Sequence, residues 1–80
     1  MEHFHEIIAA ISELQEDTTV PRNVKSKLVS VTQILSVPEE GVSIKINKAL
    51  GELSDISDDV NLQAYTRTQI WNIVSMLETI

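Results

Sequence analysis

His3 and His5 are the only imidazoles in this 80-residue chain. On a helix, residues two apart project about 200° from each other, so the pair does not form one metal site. A free amino terminus with histidine third, Met1-Glu2-His3, can offer main-chain nitrogens and an imidazole to copper or nickel, metals that imidazole suits. Chance placement of histidine on an exposed terminus explains the residue without a metal. No serine or cysteine is spaced to be activated by either histidine, and the chain has no cysteine at all. The logic of an activated nucleophile therefore has nothing to act on. No catalytic residue, cofactor-binding residue or metal ligand is expected, and no cofactor.

The carboxylates gather at the ends of predicted helices. Glu13, Glu16 and Asp17 close the first, and Glu52, Asp55, Asp58 and Asp59 close the third. Oxygen ligands of this kind suit a divalent cation. The spacing of an EF-hand loop is absent, as are the paired Glu-x-x-His motifs of a di-iron bundle. A solvated role facing the N-termini of helices 2 and 4, which welcome negative charge, is the simpler reading. Gly41 and Gly51 stand alone, so no glycine-rich phosphate loop exists. Arg22, at a helix start, is expected to pair with Glu16 or Asp17. Arg67 lies one turn before Trp71, a spacing that lets a guanidinium lie along an indole face. A structural pair of Arg67 with Glu52 or Glu13, fixing helix register, is expected there. Asn47 either fixes register in the same way or faces water.

Helical periodicity must position all of these groups. Phe4, Ile7, Ile8, Ile11 and Leu14 make one apolar stripe, and Val24, Leu28, Val31 and Leu35 a second. Val42, Ile46, Ala49, Leu50 and Leu53 make a third, followed by the polar segment 54–61. Leu62, Ile70, Ile73, Val74 and Leu77 make the fourth. Thr19 is the expected N-cap of helix 2, with Pro21 in its first turn, and Asn61 or Asp59 that of helix 4. Pro38 disfavours helix at Val37, and Gly41 allows a tight reversal. The resulting expectation is a single all-α domain over residues 1–80, an antiparallel up-and-down four-helix bundle. The alternative is two stacked, solenoid-like hairpins, with Ile11-Ser12-Glu13-Leu14 echoed by Leu50-Gly51-Glu52-Leu53.

Composition narrows the function classes. A chain of this length buries only about 60% of the surface its unfolded form exposes. Without cysteine it has no disulfide or thiolate zinc to add stability, so packing or association must supply it. A formal charge of −6 with six basic residues argues against direct nucleic-acid binding. No apolar run approaches the roughly 20 residues that span a bilayer, and Met1-Glu2-His3-Phe4-His5 lacks the basic start of a secretion signal. A cytoplasmic protein is expected, acting without a membrane.

Val20-Pro21-Arg22-Asn23 opening helix 2 and Arg67-Thr68-Gln69-Ile70-Trp71 in helix 4, with the helix order between them, resemble a family of small archaeal proteins of uncharacterised function. The resemblance covers nearly the whole chain. It implies a compact helical bundle and an archaeal origin, and it implies no chemistry. The chain departs from the family's habit before helix 4, where Val60 and Gln63 flank Asn61-Leu62 in place of prolines.

Apolar residues off the stripes point to association. On a helical projection Ile44 lies nearly opposite Val42, Ile46 and Leu53. Val29 lies well off the Val24/Leu28/Leu35 stripe, and Trp71 lies outside the centre of its own. Val29, Ile44 and Trp71 are the candidate interface of a non-catalytic interaction or scaffold domain that binds a protein partner or itself. A small-ligand or divalent-metal protein using the acidic pole or the N-terminal histidines is the alternative.

Overall fold

The computed structural model describes residues 4–80 and consists of four helices, α1 (His5–Gln15), α2 (Arg22–Ser36), α3 (Val42–Ser57) and α4 (Ala64–Glu78). Each exists because an apolar stripe recurs at helical spacing and can be buried on its neighbours. Ile7, Ile11 and Leu14 from α1, Val24, Leu28, Val31 and Leu35 from α2, and Ile70, Ile73 and Leu77 from α4 all lie in one core, closed by Phe4 just before α1 and by Val20 and Leu62 from the connections. The helices form a ring in which α1 packs on α2, α2 on α3, α3 on α4, and α4 back on α1, with α2 and α3 sharing the largest interface. A stack of two hairpins would instead pack α1 on α3 and α2 on α4, and neither diagonal pair forms a comparable interface. The up-and-down four-helix bundle is the fold.

The third stripe differs from its expected form. Val42 is exposed and Lys45, one turn later, is buried. Val42 is the first residue of α3. The helix also continues through Ile56 and Ser57, both buried, into a stretch that reads as polar.

The helix starts differ too. Helix α2 begins after Pro21, whose extended backbone (φ −59°, ψ 150°) serves as N-cap and whose carbonyl accepts from the Lys25 N–H at 3.0 Å. Thr19 does not cap it. Asp17 Oδ1 instead accepts from both the Thr19 N–H (2.9 Å) and its hydroxyl (2.7 Å), a local turn that competes with capping. Gln63 precedes α4, so neither Asn61 nor Asp59 caps that helix. Asp59 Oδ1 accepts from the Asn61 N–H at 2.8 Å and shapes the turn before it. Val37 is extended ahead of Pro38, as expected, whereas Gly41 has φ −68°, a conformation open to any residue. Among the described residues no helix is long and apolar enough to cross a membrane.

Candidate functional site

The short connections bring the C-terminal ends of α1 and α3 and the N-terminal ends of α2 and α4 to one pole. There Asp59 joins three elements. Its Oδ2 accepts from Asn23 Nδ2 in the first turn of α2 at 2.8 Å, its Oδ1 accepts from the Asn61 N–H, and its carbonyl oxygen accepts from Arg67 Nη2 in α4 at 3.0 Å. Arg67 Nε also donates to the carbonyl oxygen of Ser57, at 3.1 Å. The two segments that carry the family resemblance, 44 residues apart from Asn23 to Arg67 in sequence, thus meet through Asp59. The Asn23 amide, and after it the Asn61 N–H, hold the Asp59 carboxyl below the usual carboxylate range, and the Thr19 hydroxyl and N–H do the same for Asp17.

Arg67 is therefore a structural residue, but its partners are carbonyls and not Glu52 or Glu13. Physically, Arg67 lies in the first turn of α4, level with the end of α3, where the last carbonyls have no intrahelical partner. Glu52 lies five residues further up α3 from Ser57, about 7.5 Å along the axis. The guanidinium is turned to those carbonyls rather than over Trp71, and among the described residues the only cation–π geometry is Lys45 over Phe4. Arg22 is exposed, and neither Glu16 nor Asp17 forms an ion pair with it. Asp17 is occupied by Thr19. The one ion pair among the described residues is Lys48 with Glu40, at 2.6 Å on the surface. Asn47 faces water.

Glu13 and Asp17 line a shallow cleft of about 230 Å³ between α1 and α4, facing Tyr65 and Gln69. Among the described residues no three His, Asp or Glu side chains converge closely enough to hold a metal ion. His5 is exposed at the start of α1, and Met1-Glu2-His3 lies outside the described residues. At the opposite pole a second cleft, of about 220 Å³, is bounded by Phe4, Ile8, Leu35, Ser36, Pro38 and Lys45. Lys45 escaped the reading of the sequence, although its position one turn before Ala49 and two before Leu53 places it on the core stripe.

Val29, Ile44 and Trp71 are all exposed, at 42%, 52% and 53%. They sit on α2, α3 and α4, three consecutive helices of the ring. Tyr65 is exposed as well, at 65%. The chain has one Phe, one Tyr and one Trp, and only the Phe is in the core.

The model of a family described as an uncharacterised protein family (UPF0147) matches residues 1–80. Among curated proteins the chain is 39% identical over 75 residues to a UPF0147 protein of Archaeoglobus fulgidus, covering 94% of this chain and 85% of that protein. It is 34% identical over 79 residues to a UPF0147 protein of Methanosarcina mazei, covering 99% and 85%. The crystal structure of a protein described as "unknown function protein MMP1188" superposes with a TM-score of 0.93 at 40% identity, covering 99% of this chain and 90% of that one.

Proposed function

This chain belongs to the uncharacterised protein family UPF0147, and from that starting point we propose that it is a non-catalytic protein-interaction module. The observation that carries the reading is the placement of the aromatics. Two of three are outside the core, both on α4. Tyrosine and tryptophan are the residues on which protein interfaces most often depend, because each brings a large rigid apolar surface at low entropic cost. Val29 on α2 and Ile44 on α3 are exposed apolar side chains as well. Exposed apolar area of this kind is stabilised when a partner covers it, and a small domain without disulfides gains stability from that cover.

The partner is a protein of another kind or a second copy of this chain. A cytoplasmic setting without direct nucleic-acid contact belongs to the same proposal, supported by the absence of cysteine and the charge of −6. The test is sedimentation combined with capture from an archaeal lysate. Ile44→Lys, Val29→Glu and Trp71→Ser should each reduce self-association or partner retention while helicity is unchanged. Equal behaviour of wild type and all three variants would overturn the proposal.

A further inference from the structure

The cleft at the pole opposite Asp59 holds the one buried cation among the described residues. Lys45 is 6% exposed, and its ammonium lies 5.8 Å from the centroid of the Phe4 ring. Lysine is almost never buried to this degree without a partner, because a desolvated charge is costly. No carboxylate or carbonyl among the described residues accepts from it. The acids of the adjoining turn are Glu39, which is exposed, and Glu40, which is engaged by Lys48. An ammonium carries three donors. The Phe4 face attracts the charge but accepts none of them as a strong acceptor would. Among the described residues Thr66 Oγ1 is the one side-chain polar atom sealed from solvent without a partner. Lys45 and Phe4 both line the cleft.

A second feature adds to the positive potential. Helix α3 is 16 residues long, has no side-chain N-cap, and carries no acidic residue in its first turn. The N–H groups of Val42, Ser43 and Ile44, which precede the first N–H to bond back within the helix, that of Lys45, supply the positive end of the helix dipole. The remaining walls of the cleft are Phe4, Ile8, Leu35 and Pro38, which are apolar, and Ser36, whose hydroxyl donates to the Thr32 carbonyl oxygen. At about 220 Å³ the space is smaller than the roughly 300–1,000 Å³ of sites for drug-sized molecules, and takes one compact group.

We propose that this cleft binds a carboxylate borne on a compact apolar body, the anion on Lys45 and the apolar part on Phe4, Ile8 and Leu35. Two sources carry that chemistry, a free aryl or branched-alkyl acid and the C-terminal carboxylate of a peptide ending in an apolar residue. No residue of α4 lines the cleft, so the site stands whether or not Trp71 belongs to an interface, and Ile44 is the proposed interface residue next to Lys45 in the chain.

The experiment is a titration of the full ¹⁵N-labelled chain, followed by amide shifts. The probes are 3-phenylpropionate, its neutral amide, and a short peptide ending in Leu-Phe as the free acid and as the C-terminal amide. The expected result is saturable shifts confined to Phe4, Ser36 and the first turn of α3 with at least one acid, and binding about tenfold or more weaker for the matching amide, the loss expected on removing a charge-assisted contact. Lys45→Met, which keeps the apolar stem, should weaken binding of the acid similarly, while Lys48→Met leaves it unchanged. The acid/amide comparison on wild type decides the matter even where Lys45→Met fails to fold. Tighter binding of phenylpropionate assigns the free acid, and tighter binding of the peptide assigns the chain terminus. Equal binding of acids and amides, shifts scattered over surface lysines, or no saturation would overturn the proposal. Binding seen only in Glu2→Gln would also overturn it, by giving the slot to the chain's own carboxylate.

Discussion

Arg67 reaches back from the first turn of α4 and donates through Nε to the carbonyl oxygen of Ser57, 3.1 Å away at the end of α3. With Nη2 on the Asp59 carbonyl, one planar side chain meets two carbonyls of the α3–α4 connection, and its fork geometry makes this possible. Arg67→Ala should lower stability by about 1.5–3 kcal/mol, the usual size for hydrogen bonds from a charged donor. Arg67→Lys should recover only part of it, because an ammonium cannot reproduce the fork. Urea unfolding of the three proteins checks both statements. Equal midpoints would remove Arg67 from the structural account.

Asp59 gives the fold a dependence on acid. The Asn23 amide and the Asn61 N–H favour its charged form, so its folded value lies below the usual one. A carboxyl depressed in this way adds stability above its unfolded value, about 3.9, and the added stability is lost as pH falls through the folded value. Asn23→Ala removes the larger cause. In a ¹³C carboxyl titration the Asp59 midpoint should rise toward the ordinary value, and the stability difference from wild type should be present at neutral pH and vanish in strong acid. An unmoved Asp59 midpoint would show that the Asn23 contact does not hold in solution.

Thr66 Oγ1 is buried without a hydrogen-bond partner among the described residues, and a hydroxyl in that position has lost its hydration without replacement. Thr66→Val keeps the branched shape and removes the unpaired group. Unfolding should become harder by about 1 kcal/mol. A destabilised variant would mean that the hydroxyl has an acceptor, such as a bound water.

Gly51 lies inside α3, and a Cβ built there meets no atom within 4 Å. Gly51→Ala should therefore stabilise the protein by about 0.5–1 kcal/mol through helix propensity alone. Thermal unfolding reads this directly. A loss of stability would require a contact at Gly51 that the monomer does not make.

The apolar stripes were legible because spacing alone exposes them. Val24, Leu28, Val31 and Leu35 recur every three or four residues, and all are buried. Lys45 and Thr66 occupy equivalent core positions on α3 and α4 but are polar, so the same reading passed over them. Ile56 was hidden inside a run of serines and aspartates. The partners of Arg67 were illegible for a different reason. Residue types show carboxylates such as Glu52 and Glu13, whereas the acceptors it uses are backbone carbonyls that every residue has. The exposure of Val29, Ile44 and Trp71 followed from their angular offset from the stripes, and geometry of that kind survives folding.

Trp71 is the only tryptophan in the chain, so its emission reports on the proposed interaction surface without labelling. In the free protein the indole is 53% exposed and should emit as a solvated indole. A blue shift and reduced iodide quenching are expected when the captured partner is added or when the protein's own concentration is raised until it associates. A complex that forms with Trp71 emission and quenching unchanged would exclude Trp71 from the interaction surface, because the indole would then remain in water while the partner was bound elsewhere.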